Sequence, residues 1–291
     1  MPTVAVPQMA VTDLAVESNL AEIAGRLAGL PDRVDLACFP EYALTGFVAD
    51  HRVRDVALPS DAPALDRLAA LAETHDIAVL AGYVERGDGQ GASDTAESAD
   101  VVASKDTAES AGAVESEPTD ADDATDLPLY NTAVYLRPSG ERETYRKRHL
   151  WGGERDLLTP GDDRLVLDTP AGRTAVLTCY DLNFVAESAA LADAEVDCLL
   201  VPGAWPATHS ENWRLLLRAR ALDGVRWVVG AGRTGRRDLP DAHPVEYAGR
   251  STVVRPDGAV SAALNRDERD LVAELDPAVL AEQREFIPVL D

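Results

Sequence analysis

Three side chains of complementary chemistry stand far apart in the chain: a carboxylate at Glu41, an ammonium at Lys147 and a thiol at Cys179. Cys179 lies in LTCYDL at 177–182, after the β-prone run 174–177 and before a helix expected over 182–194. A strand-to-helix turn collects free backbone N–H groups and the positive end of a helix dipole, which lower a thiol pKa and can receive an oxyanion. The same position suits a buried cysteine serving as a small apolar residue, and position alone does not choose between the two. Cys38 and Cys198 fall inside apolar strands and read as core. Glu41 follows the apolar run 34–39 and Pro40, which fixes the backbone. A carboxylate there is placed for general-base work, although a loop glutamate taken alone reads first as a solvated group. Lys147 sits in YRKRH at 145–149, and a basic cluster is ordinarily a solvated surface. Yet the chain holds only two lysines, Lys105 and Lys147, against 25 arginines. An ammonium kept among arginines points to a need for that group specifically.

The elements that would carry these groups follow from periodicity. A short strand at 3–6 precedes a helix with Val16, Leu20, Ile23, Ala24 and Leu27 on one face. A buried strand at 34–39, a helix capped by Ser60 or Asp61 and running through Leu65, Leu68 and Leu71, and a strand at 77–83 continue the alternation. Strand, helix, strand, helix, strand favours a layered α/β domain. A hairpin is expected from 132–136 and 143–146 around Pro138-Ser139-Gly140. Further strands fall at 198–201, 227–231, 251–255, 259–264 and 271–275, with a helix at 213–222 and a tight turn at Asp257-Gly258.

Residues from about 86 to 128 interrupt the pattern. They are polar and acidic, and DTAESA occurs twice, at 94–99 and 106–111. Such a stretch reads as a duplicated, disordered acidic surface insert between two strands.

The chain carries 51 acidic against 27 basic residues, a net charge of −24. Like charge disfavours association with nucleic acid or anionic lipid, so neither is an expected partner. The excess suits a halophilic protein, since salt screens self-repulsion; a GC-rich genome would also favour arginine over lysine. No apolar run reaches the length of a membrane span, the start lacks a signal-peptide pattern, and three cysteines without metal-like spacing fit reducing cytoplasm.

The strings FPEYALTGF at 39–47, YRKRHLWGGERDLLTPG at 145–161 and TCYDLNF at 178–184 together resemble the nitrilase superfamily of carbon–nitrogen hydrolases. The likeness continues through LLVPGAWP at 199–206, NWRLLLRARALDG at 212–224, GRSTVVRPDG at 249–258 and the REFIPVLD terminus, and skips only the insert. It implies a single domain over 1–291 with a four-layer α-β-β-α sandwich. It implies a Glu–Lys–Cys triad of Glu41 as base, Lys147 as electrostatic partner and Cys179 as nucleophile. Glu154 would position substrate and orient Lys147, and Tyr180 would place its backbone N–H at the oxyanion. The resemblance implies no metal or organic cofactor, a homodimer or higher homo-oligomer, and a small-molecule amide as substrate. CYD at 179–181, where nitrilases proper usually carry CWE, resembles the amidase and carbamoylase branches. A small linear amide or N-carbamoyl compound releasing ammonia is therefore expected, with nitrile hydrolysis and acyl transfer as alternatives. Asn183-Phe184-Val185-Ala186-Glu187 departs from the family's usual Arg-Phe-Pro-Glu, which puts close substrate analogy in doubt. Trp151, Trp205 and Tyr180 read equally as pocket walls or as core. A Cys–His hydrolase using His149 or His209, and a non-catalytic binder or scaffold, are the competing classes.

Overall fold

The computed structural model describes residues 1–88 and 127–287. The first half runs β1 (Thr3–Gln8), α1 (Val16–Gly29), β2 (Leu36–Cys38), α2 (Val53–Val56), α3 (Pro63–His75), β3 (Ala78–Arg86), β4 (Leu129–Leu136) and β5 (Arg142–Arg146). The second runs β6 (Val166–Thr169), β7 (Gly172–Val176), α4 (Val185–Asp193), β8 (Cys198–Gly203), α5 (Ser210–Asp223), β9 (Trp227–Gly232), β10 (Thr252–Val254), β11 (Val260–Ala263), β12 (Arg269–Glu274) and α6 (Pro277–Phe286).

Among the described residues two six-stranded mixed sheets result, ordered β12-β1-β2-β3-β4-β5 and β11-β10-β9-β8-β7-β6. Each has a parallel centre, β1-β2-β3 in one and β7-β8-β9 in the other, flanked by antiparallel strands. The period-2 alternation of side chains assigns the faces. Val4, Val6, Leu36, Cys38, Ala78 and Leu80 point inward to the core shared with Val176, Leu200 and Val228 of the other sheet. Ala5, Ala37, Val79 and Ala81 point outward, under Leu20, Ile23 and Leu27 of α1 and Leu65 and Leu68 of α3. On the far side, Trp213, Leu217 and Ala221 of α5 pack down on the second sheet. The layers are helix, sheet, sheet, helix, as expected.

Some boundaries differ from the sequence reading. α3 begins after Ala62 with Pro63 in its first turn, not at Ser60 or Asp61. A first-turn proline has no N–H to leave unpaired and a φ already set for the helix. The helix expected from residue 182 is split: a 3-10 turn, Cys179–Asn183, comes first, and Phe184 is extended before α4. The expected hairpin is β4–β5. The acidic insert at about 86–128 lies outside the described residues except at its ends, where Gly87 N–H donates to Pro128 O at 2.8 Å.

Candidate active site

Glu41, Lys147 and Cys179 are brought to one end of the two sheets. Glu41 follows β2, whose end is fixed by Phe39 N–H on Leu80 O. The chain then crosses directly over β3 at Gly82, where a Cβ would lie 2.5 Å from the Tyr42 nitrogen. Only glycine permits that approach. Lys147 follows β5 and keeps its backbone in register, its N–H on Asn131 O at 2.8 Å and its carbonyl receiving Gly161 N–H at 2.9 Å. Cys179 leaves β7 at the first position of the 3-10 turn with φ +48°, and Tyr42 has φ +58°. Left-handed backbone at non-glycine residues is strained, and here it falls on two residues of one cluster.

The Lys147 ammonium, 1% exposed, donates to Glu41 Oε1 at 2.9 Å and to Glu154 Oε1 and Oε2 at 3.0 and 2.9 Å. Asn131 Nδ2 bridges the same two carboxylates, 2.8 Å from Glu41 Oε1 and 2.9 Å from Glu154 Oε1. Glu154 also accepts Tyr42 O–H and Trp151 N–H, so its oxygens are filled by the protein. The other Glu41 oxygen, Oε2, accepts Ala204 N–H at 2.8 Å. The Cys179 thiol stands in the same cluster, where the charges of Glu41 and Lys147 both act on it and Ala204 N–H favours its ionised form. A buried carboxylate is thus shared by an ammonium, an amide and a backbone N–H.

Electrostatics follow from that packing. Burial pushes the Cys179 thiol well above its ordinary range, Glu41 adds to the shift, and Lys147 opposes it. Burial alone would lower Lys147, but Glu154 and Glu41 outweigh it and hold the ammonium well above its usual pKa. Burial and the charges of Glu154 and Glu41 likewise keep the Tyr42 phenol protonated. Cys38 and Cys198 are fully buried and raised by burial, as expected of core cysteines.

The basic run around Lys147 is not a solvated patch. Each of its four members holds a different acidic partner: Arg146 pairs with Glu85, Lys147 with Glu41 and Glu154, Arg148 with Glu187, and His149 with Asp181. His149 offers Nδ1 to Asp181 Oδ1 at 2.9 Å, turns Nε2 toward Glu187 at 3.8 Å and stacks on Phe184. Both ring nitrogens face carboxylates, while His209 is exposed on a different segment; neither matches a base directed at the thiol. Tyr180 is half-buried and meets Phe184 edge-on. Trp151 is half exposed, whereas Trp205 is buried against Trp213.

Sequence reasoning missed four contributors. Asn131 left one signal, an amide inside the apolar strand LYNTAVYL. Tyr42 and Asp181 stood inside the quoted motifs without an assigned contact. Ala204 contributes only a backbone N–H, which no side-chain pattern announces. Among the described residues, no group of three or more His, Cys, Asp or Glu is arranged to hold a metal ion, and no helix is long and apolar enough to cross a membrane.

Comparison with known proteins is consistent across sequence and fold. The family described as carbon-nitrogen hydrolase matches residues 3–285. An (R)-stereoselective amidase from a Pseudomonas species is 28% identical over 269 residues, covering 92% of this chain and 83% of that protein. Omega-amidase NIT2-A of Xenopus laevis is 38% identical over 172 residues, which span 55% of this chain and 61% of that protein. The CN-hydrolase superfamily protein XC1258 from Xanthomonas campestris superposes with a TM-score of 0.79 at 22% identity, over 99% of this chain and 96% of that one. At that identity the structural likeness is one of fold.

Proposed function

Because the chain belongs to the carbon-nitrogen hydrolase family, we propose that Cys179, Glu41 and Lys147 hydrolyse the C–N bond of a small linear amide or N-carbamoyl compound and release ammonia. The observation that carries this reading is the position of Glu41, whose Oε1 receives Lys147 Nζ at 2.9 Å and whose charge, with that of Lys147, acts on the Cys179 thiol.

Since the thiol is held protonated, attack and deprotonation go together: Glu41 takes the proton as sulfur bonds to the carbonyl carbon. The oxyanion is met by Lys147 Nζ, which swings one N–H away from its two-oxygen contact with Glu154. The Tyr180 N–H, in the first turn of the 3-10 segment where donors lack a partner within the turn, is the second donor. Protonated Glu41 gives its proton to the departing nitrogen, the C–N bond breaks and a thioester remains. Water then attacks the thioester, Glu41 takes its proton, and the acid leaves as that proton returns to Cys179 sulfur. Glu154, already saturated, acts on the substrate through Lys147, and Asn131 keeps the two carboxylates side by side.

The test is ammonia release in molar-range salt from aliphatic amides, ω-amides and N-carbamoyl compounds, with Cys179→Ala as blank. Release confined to the intact chain supports the reading; equal release from Cys179→Ala removes it. A homo-oligomer in the cytoplasm completes the proposal. Val185 of α4 and Leu215 and Leu222 of α5 are exposed apolar residues on the outer helical layer, the face a second copy would cover. Light scattering after size exclusion decides, since a monomer at micromolar concentration contradicts that assembly.

A further inference from the structure

Asp181 is fully buried and has neither lysine nor arginine beside it as an ion-pair partner in its hydrogen-bond set. A carboxylate in that position needs all its lone pairs occupied, and four donors do so. Oδ2 accepts Tyr145 O–H at 2.7 Å and Thr178 N–H at 2.9 Å; Oδ1 accepts His149 N–H and faces His149 Nδ1, both at 2.9 Å. The placement of the donors matters more than their number. Tyr145 and His149 stand two residues on either side of Lys147, and Thr178 immediately precedes Cys179. Lys147 follows a strand of one sheet and Cys179 a strand of the other. The lysine and the thiol therefore reach each other across the sheet interface, and one buried carboxylate grips both segments at their flanks.

We propose that Asp181 is a positioning residue that fixes the Lys147 ammonium relative to the Cys179 sulfur, and that reactivity of the thiol depends on it although Asp181 touches neither substrate nor the reacting atoms. The inference rests on the reading of Cys179 as nucleophile and Lys147 as its electrostatic partner. Glu187, by contrast, pairs with Arg148 and Arg164 and accepts nothing from the segment that carries Cys179.

Asp181→Asn preserves shape but replaces one acceptor oxygen by an NH2 group, which turns a donor toward the donors that the lost oxygen served. Displacement of catalytic groups by about 1 Å costs on the order of 100-fold in rate. The expected result is a kcat lowered about 100-fold with KM within roughly threefold, and alkylation of Cys179 by iodoacetamide slowed about tenfold with an altered pH profile. Thermal melts in the same salt measure folding. A folded Asp181→Asn protein with wild-type kcat and alkylation overturns the proposal, as does a loss that only tracks the unfolded fraction or falls on KM alone. If Asp181→Asn does not fold, Tyr145→Phe decides. It deletes one donor and leaves the charge, and a loss of about tenfold in both kcat and alkylation supports the proposal, whereas wild-type values overturn it. Wild-type protein inactive on every amide would sink the hydrolase reading, while the alkylation comparison still tests the role of Asp181.

Discussion

A base is only as strong as its neighbours allow, and Glu41 is surrounded by groups with opposing effects. Its charge holds the Cys179 proton in place, while Lys147 and Ala204 N–H favour the thiolate. The sign of one substitution follows. Glu41→Gln removes a factor that raises the thiol and leaves Lys147 as its opponent, so the alkylation midpoint of Cys179 moves to lower pH even as turnover is lost. Iodoacetamide labelling of the two proteins over an alkaline pH series measures it; an unmoved or higher midpoint in Glu41→Gln contradicts this electrostatic account. Asn131→Leu leaves Oε1 of both glutamates without an amide donor. A loss of about 2 kcal/mol in a denaturant melt and at least tenfold in kcat is expected; unchanged values would show that Lys147 alone holds the pair. The readability of these residues tracks what each contributes. Lys147 and Cys179 are of residue types rare in this chain, and with Glu41 they stand in ordered motifs, so the sequence displays them. Ala204 offers only its main chain, and the acidic partners of Arg146, Arg148 and His149 arrive from distant elements, so the sequence does not name them.

At the scale of elements, the site depends on chain crossings that side-chain periodicity does not encode. β3 carries Gly82 where the segment after β2 passes over it, and a methyl group there would meet backbone rather than a movable side chain. Gly82→Ala is therefore expected to destabilise by about 1–3 kcal/mol. It should also lower kcat more than it alters KM, because Glu41 rides on the displaced segment. A stable, fully active variant would show that the crossing is compliant. The strands and helices of the parallel centres were legible because their apolar runs are long and well separated. β6, at the sheet edge with Asp168 and Thr169 in its four residues, offered too little apolar pattern to be recognised. α6 shows weakly in the apolar pattern, and its signal is Asp276-Pro277, the aspartate accepting Ala278 N–H as a cap. Asp181 accepts Thr178 N–H and so caps the start of the 3-10 turn, which ends at the extended Phe184 before α4 begins.

For the whole molecule, the charge of −24 sets how stability responds to salt. The screening length shrinks from about 10 Å at 0.1 M to about 3 Å at 1 M, so repulsion across the acidic surface fades. Exposed pairs such as Arg67 with Glu17 weaken too, but each contributes only tenths of a kcal/mol. The buried pairs Lys147–Glu41 and Arg233–Asp13 are largely sheltered from added ions. The net expectation is a melting temperature that climbs from dilute buffer to molar NaCl; a flat profile by calorimetry would separate the acidic composition from any need for salt. The first sheet carries a different kind of consequence. β1 is paired on one side by β12, with Thr3 opposite Glu274, so this strand waits for a partner synthesised much later in the domain. Until then its edge is open to any other strand, and half-made chains crowded on one message are at their most vulnerable to joining each other.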